Sequence, residues 1–414
     1  MTIRVAITNA VLTNTGDAAI LFAIAQSLER EFGAHNLDIV VLDMNARHSR
    51  RLYPGLRVVQ QSTYAPSSLP RAARRVGTLI KRMGAAALSR PGRVSDYVMS
   101  KLDNPVVQRV TPGWAALWRA DIVVSSGGTY LVDHYNFAPR VDELVLAHRF
   151  GRPVVMWTQS MGPFSSSRAK GAIARLVAVV DACFLRDERS LKSWRDVGGS
   201  LTATVAPDAV FGLTRSGKSL VHQGRTGPSR VIFANRRWDR PIDPLRRFEF
   251  GSYSSALRDT AEHLASIGNS CEALSTCQGV PGYSIDDSET SREIFEGLNV
   301  NVDGGHHTPE ELLGELATAD LVIATRMHMA ILSLIAGRAV IAIAYEFKTL
   351  ELFRSLGLGR NVVAIEDLDA DWLISRAEEA LSDPSTFVLS VDEREELTAT
   401  AGAPATLCRQ LLPV

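Results

Sequence analysis

Arg326 and His328 stand two residues apart where an apolar run ends and an apolar helix begins, in the stretch ATRMHMAILSLIAGRAVIAIAYEFK (324–348). The run 321–324 reads as the end of a buried parallel strand. Thr325 reads as an N-cap, 327–336 as a helix and Gly337 as its stop. A helix start exposes unpaired N–H groups and the positive end of the helix dipole, so a guanidinium and an imidazole flanking Met327 there make a pocket suited to phosphate or carboxylate. Taken singly, the plainer reading of an arginine is a salt bridge, and of a histidine a satisfied core residue. Their joint place at a strand C-terminus favours the pocket, because open α/β sheets bind ligands along that edge.

Four further strand ends carry polar residues. Asn14, Thr15, Gly16 and Asp17 lie between the first strand and the first helix, where glycine allows close backbone approach and an aspartate suits the first helical turn. This is not a dinucleotide-binding fingerprint, and helix capping explains Asp17 equally well. Gly127 and Gly128, in the run 125–130, present backbone N–H groups to a ligand or else form a tight turn. Gln159 and Ser160 follow another strand directly. Arg186 closes a fourth, with a salt bridge to Asp187 or a neighbour as its plain alternative. Further on, Glu346 and Lys348 follow the strand over 339–344. Lys348 either approaches an anion or is an exposed lysine at a helix start.

The elements that position these residues alternate strand and helix. Strands are expected over 3–8, 37–42, 121–125, 153–158, 183–185 and 202–205, with helices over 17–31, 139–150, 170–180 and 188–197. A polar, glycine- and serine-rich stretch at 213–229 reads as a linker. A second series follows: strands over 230–234, 272–275, 321–324 and 339–344, and helices over 254–266, 286–296, 309–317, 327–336 and 348–356. Two more helices then flank Pro384. The strands are unbroken apolar runs instead of alternations, so helices must cover both sheet faces. The economical architecture is α/β, with two Rossmann-like domains: 1–212 and 230–366, then C-terminal helices over 367–414.

Composition bounds the partners. The 414 residues suffice for two ordinary domains, and 45 basic against 45 acidic side chains give no electrostatic reason to expect nucleic acid. The cysteines (183, 271, 277 and 408) form no CxxC pair, which points to a reducing cytoplasmic setting. His306-His307 is a tandem without a third ligand nearby, so no metal is expected. The opening residues read as a strand and not as a targeting segment. The segment 66–101 holds eight basic residues against one acid, Asp96. A solvated helix or a loop is its plainer reading; the alternative is a basic amphipathic helix making a peripheral contact with the anionic inner face of a membrane.

Six motifs together resemble the polysaccharide pyruvyl transferase family: NTGDAAI (14–20), SSGGTYL (125–131), TQSMGPF (158–164), FLRDERS (184–190), APDAVF (206–211) and the 325–348 stretch. They occur in order across most of the chain, with a departure at Thr129, where many relatives carry a third glycine. The resemblance implies a glycosyltransferase-B-like arrangement with the active site in the interdomain cleft. It also implies transfer of pyruvate from phosphoenolpyruvate onto two hydroxyls of a sugar as a cyclic ketal, with phosphate released. The first domain would take the acceptor, a sugar or lipid-linked glycan, and the second the donor. Phosphoenolpyruvate is then a substrate, and no cofactor is expected. Arg326, Arg186 and His328 become candidate donor ligands, His328 the candidate acid and Asp17 the candidate base. Two rivals share the fold: a nucleotide-sugar glycosyltransferase, for which Glu346 is the one acidic candidate ligand, and a non-catalytic binder of anionic glycans.

Overall fold

A computed structural model describes residues 2–63, 71, 75, 77–78, 101–133, 135–199, 203–214, 227–237, 250–281 and 283–412. Apart from a few residues at their ends and at 71, 75 and 77–78, the basic segment 66–101 and the linker 213–229 lie outside that description. The chain forms two compact units: Met1–Thr13 with Ile20–Gly212 and Ala399–Val414, and Asn14–Ala19 with Leu213–Thr398. The boundaries differ from the sequence expectation in two ways. The short segment Asn14–Ala19 packs with the second unit, and the end of the last helix packs with the first.

The first unit is built on β1 (Ile3–Ala10), β2 (Leu37–Asp43), β3 (Val58–Gln60), β4 (Ile122–Ser125), β5 (Gly128–Leu131), β6 (Val154–Met161), β7 (Ala182–Leu185) and β8 (Thr204–Val205). The sheet runs β3-β2-β1-β4-β6-β7-β8, with β5 paired to β6 and every pairing parallel. The strand order reverses between β1 and β4, so this sheet has its switch point at the C-termini of those two strands. β6 is buried along all eight residues, as a strand covered on both faces must be. Its core includes Trp114, Phe137, Phe150, Met156 and Trp194.

The second unit carries β9 (Arg230–Ala234), β10 (Ser270–Ala273), β11 (Val300–Val302), β12 (Leu321–Ala324), β13 (Ala339–Ala344) and β14 (Val362–Ala364) in the order β11-β10-β9-β12-β13-β14. All five pairings are parallel. This is the doubly wound dinucleotide-fold order, with its crevice between β9 and β12. Phe233, Tyr253, Leu257, Ile341 and Phe387 fill its core.

Four strands escape the sequence reading: β3, β5, β11 and β14. Each has only three or four residues, too few to show a period. β5 matters most, since it turns the Gly127-Gly128 stretch from a free loop into a paired strand start.

Candidate functional site

The second unit gathers its functional side chains at the switch point. β12 stops where Thr325 is tied on two sides: its N–H donates to the Ala234 carbonyl at 2.9 Å, and its hydroxyl bonds the Tyr253 hydroxyl at 2.8 Å. The expected Thr325 cap is thereby corrected. Arg326 is the extended N-cap residue, it makes no side-chain cap, and it precedes the first turn of the helix Met327–Ile335. The Thr325 hydroxyl is drawn away from that turn by Tyr253.

Arg326 is buried and makes a bidentate pair with Asp287, Nε at 2.8 Å and Nη2 at 2.7 Å. Burial works against the guanidinium charge, but the Asp287 carboxylate outweighs it, so the arginine is held more firmly charged than usual. The Ser275 hydroxyl donates to the same carboxylate at 2.5 Å. The salt-bridge alternative for Arg326 is therefore what the structure contains. It also fixes the plane of the guanidinium at the crevice.

Arg236 is the residue the sequence reading missed. It follows β9 as Arg326 follows β12, and the two strands pair directly, Ala324 opposite Ala234. Its backbone N–H donates to the Tyr253 hydroxyl at 3.3 Å, and its guanidinium lies 4.3 Å from the centre of the Tyr345 ring. Lys348 approaches the same ring at 5.9 Å and pairs with Glu346 at 2.7 Å. The available signal was positional: an arginine two residues past an apolar strand, repeated in adjacent strands.

The segment 14–19 meets the same edge. Thr15 donates its N–H to Thr276 at 2.9 Å and its hydroxyl to the His307 carbonyl at 2.7 Å. Asn14 turns back to accept from the Gly16 N–H at 2.9 Å. Gly16 lies against the imidazole: a Cβ there would stand 2.6 Å from His328 Nδ1 and 2.8 Å from its Cβ. Only glycine leaves room for the ring. Arg326, Asp287, Asp17 and Arg236 all act electrostatically on the buried Cys277 thiol, whose pKa burial pushes up to about 11. His328, Asp17, Asn14, Arg236, Tyr345 and Lys348 are half-buried, whereas Met327 is buried in the packing. One crevice edge thus holds three basic side chains, two of them paired with carboxylates (Arg326 with Asp287, Lys348 with Glu346), together with an imidazole and the Asp17 carboxylate.

The remaining predicted residues form a second group in the first unit. The Arg186 side chain is only 6% exposed and uses all three guanidinium nitrogens: Nε donates to Ser160 Oγ at 3.0 Å, Nη1 pairs with Asp208, and Nη2 donates to Thr129 Oγ1 at 2.6 Å. Its carboxylate partner is Asp208, 22 residues on, and not Asp187. Asp187 caps the helix Glu188–Asp196 and accepts from Ser160 at 3.0 Å. Gln159 donates to the Gly128 carbonyl at 2.7 Å. A Cβ at Gly127 would meet the Trp157 carbonyl at 2.7 Å, so this glycine serves close strand packing. Thr129, the departure from the family pattern, is thus a direct partner of Arg186.

Residues 14–346 match the profile of the polysaccharide pyruvyl transferases. The chain belongs to that family. Among curated proteins it is similar to the amylovoran biosynthesis protein AmsJ of Erwinia amylovora, 26% identical over 371 residues that span 86% of each chain. Solved structures that resemble it include the spinosyn forosaminyltransferase SpnP (TM-score 0.53, 14% identity, 100% of both chains). Another is Alr3699/HepE of Anabaena in complex with UDP-glucose (TM-score 0.56, 12% identity, 99% of this chain and 98% of that one). At such identities the likeness speaks to fold alone, which is that of the glycosyltransferase-B class. The family comprises transferases of polysaccharide biosynthesis.

In this transferase a further buried acid stands at the switch point of the first sheet. Glu143 is fully buried and accepts from Gln61 Nε2 at 2.9 Å, from the Ser62 N–H at 2.6 Å and from the Thr8 hydroxyl. Next to it Asn9, held in the left-handed region at φ 64°, donates to Ser125 at 3.0 Å, and Arg140 lies 4.3 Å from the Tyr130 ring centre. A non-glycine residue in that region marks a constrained edge. The sequence signal was a lone glutamate among Val141, Leu144 and Leu146, on a helix face that packing makes apolar.

Burial raises the Glu143 pKa above its ordinary 4.5 against the pull of its donors. The stability this group contributes is present below that ordinary value and is lost as pH rises through the higher folded value. Glu143→Gln removes the term, so the fall in Tm between pH 5 and pH 8 should be smaller in the variant by scanning calorimetry. An unchanged fall would mean that Glu143 is ionised throughout.

Among the described residues no helix is long and apolar enough to cross a membrane. His307 of the tandem pairs with Asp303 at 2.7 Å.

Proposed function

We propose that this transferase moves pyruvate from phosphoenolpyruvate onto two hydroxyls of a glycan sugar, forming a cyclic ketal. The observation that carries the reading is the gathering of Arg326, Arg236 and His328 at the ends of β9 and β12, with Lys348 beside them on the Tyr345 ring that Arg236 also covers. Phosphoenolpyruvate presents a phosphate and a carboxylate on three carbons, and two anionic groups so close together call for several cations held apart from one another.

Three steps follow. His328 protonates the vinyl methylene carbon, which leaves an oxocarbenium-like centre at the carbon bearing phosphate. One acceptor hydroxyl attacks that carbon while Asp17 takes its proton, which returns to His328 for the next turnover. The second hydroxyl then attacks the same carbon, the bond to phosphate breaks, and the second proton leaves on phosphate. The methylene has become a methyl group, and no electrons are exchanged with a cofactor. His328 and Asp17 suit the two roles because Gly16, beside Asp17 in sequence, packs directly on the imidazole.

Arg236→Ala should weaken phosphoenolpyruvate binding by about 1.5 to 3 kcal/mol, the usual loss for a charge-assisted contact. That is roughly a tenfold to hundredfold rise in Kd. Arg236 is half-buried where Arg326 is buried in its bidentate pair, so its loss should lower Tm less than the loss of Arg326 does. Unaltered binding in calorimetry would remove Arg236 from the donor site.

The function itself is tested by phosphate release. Phosphoenolpyruvate together with a glycan-lipid extract of the producing cell should give inorganic phosphate and an acceptor heavier by one carboxyethylidene group. Phosphoenolpyruvate alone should give neither. Release of a nucleoside diphosphate from a nucleotide sugar in the same extract, without phosphate from phosphoenolpyruvate, would favour the glycosyltransferase rival.

A further inference from the structure

Beyond β5 the first unit has a recess of about 210 Å³ that the chemistry above leaves unused, lined by Asp133, Tyr135, Asn136, Phe137, Ser166 and Arg168 among others. It lies just past the C-terminal edge of the sheet: the Gly162 N–H donates to the Leu131 carbonyl at 2.9 Å and ties the ends of β5 and β6 together. Its wall is firm. Phe137 is buried and meets Phe164 at 6.0 Å between ring centres, and Asp133 accepts from the Ser165 N–H at 2.6 Å and from its hydroxyl. Burial pushes the Asp133 carboxyl up, but the Ser165 donors outweigh it and hold the group below the usual carboxylate range. Arg168 Nη2 donates to the side-chain oxygen Oδ1 of Asn136 at 3.4 Å. Tyr135 stands 53% exposed at the rim, and the other large hydrophobic side chains this exposed among the described residues are aliphatic.

This combination has a chemical meaning. A pyranose offers an apolar C–H face and a rim of neighbouring hydroxyls. An exposed aromatic ring covers the first, while a carboxylate, a carboxamide and a guanidinium supply planar acceptors and donors for the second. The recess is lined by one acid and one arginine, whose charges offset, and this favours an uncharged sugar over an anion. We infer that the Tyr135 recess is a carbohydrate subsite, holding a pyranose of the acceptor glycan other than the one that receives pyruvate. The inference rests on the transferase having a glycan acceptor, as proposed above.

The test is a titration of the isotope-labelled full chain, followed by amide-resolved NMR. The probes are methyl β-glucopyranoside, methyl β-galactopyranoside and methyl α-mannopyranoside, with phosphoenolpyruvate titrated in parallel. At least one glycoside should shift the amides of Asn136, Phe137 and Arg168. Tyr135→Ala should weaken that response about tenfold, because it removes the ring that covers the apolar sugar face, and Tyr135→Phe should keep it. Phosphoenolpyruvate affinity should be the same in all three proteins. The subsite is overturned if no glycoside moves those amides, or if Tyr135→Ala responds as the wild type does. Tyr135-dependent glycoside binding in a protein that fails to bind phosphoenolpyruvate would support the subsite and remove the pyruvyl-transfer reading alone.

Discussion

His328→Gln should lower kcat by roughly two to four orders of magnitude, the span expected for losing a general acid, and leave the Kd for phosphoenolpyruvate within a few-fold of wild type. Glutamine keeps a hydrogen-bond donor of similar reach but cannot deliver a proton to carbon. The split between kcat and Kd is therefore the signature: a residue that only binds the donor would move Kd and leave turnover at saturation intact. Gly16→Ala should reproduce much of the loss by another route. A Cβ 2.6 Å from Nδ1 and 2.8 Å from Cβ of the histidine cannot be accommodated unless the ring moves, and misplacement of a catalytic group is itself expensive in rate. Wild-type turnover in His328→Gln would reassign the acid.

Arg326→Ala is expected to unfold the second unit more readily before it says anything about binding. The variant leaves Asp287, 1% exposed, without its bidentate partner, and breaking a buried ion pair from one side costs roughly 3 to 5 kcal/mol. A two-sided change tests this directly. Arg326→Met with Asp287→Leu should recover most of the lost stability in thermal or urea unfolding, because both buried charges are then gone, yet it should not restore donor binding. If Arg326→Ala kept the wild-type Tm, the pair would be solvated and its guanidinium more available than the geometry indicates. Arg326 and Arg236 are thus complementary probes: one measures how the crevice is held together, and the other its affinity for anions.

Much of this organisation is legible in the residues alone. The apolar runs that become β1, β4, β6, β9, β12 and β13 are central strands, and full burial strips them of polar alternation, which makes them readable. The helix Pro309–Leu316 shows its start through the capping box between Thr308 and Glu311. Edge strands such as β3 and β11 are only three residues long, and they acquire strand geometry only from a neighbour. The site divides the same way. Arg326, His328 and Gly16 announce themselves through their positions at strand ends. Arg236 requires knowing that β9 and β12 are adjacent, which no local pattern reveals. Arg186 looks from sequence like a partner of Asp187, but the fold brings Asp208 to it and gives Asp187 to a helix cap. Thr129 reads as an irregularity until Arg186 is found donating to it.

The central claim is that the crevice between β9 and β12 is built for phosphoenolpyruvate. It is tested most directly by titrating phosphoenolpyruvate and, separately, UDP-glucose into the wild-type chain by calorimetry. Saturable phosphoenolpyruvate binding that weakens as salt rises, with no heat from UDP-glucose, is the predicted result. Saturable UDP-glucose binding in the absence of any phosphoenolpyruvate signal would contradict the account.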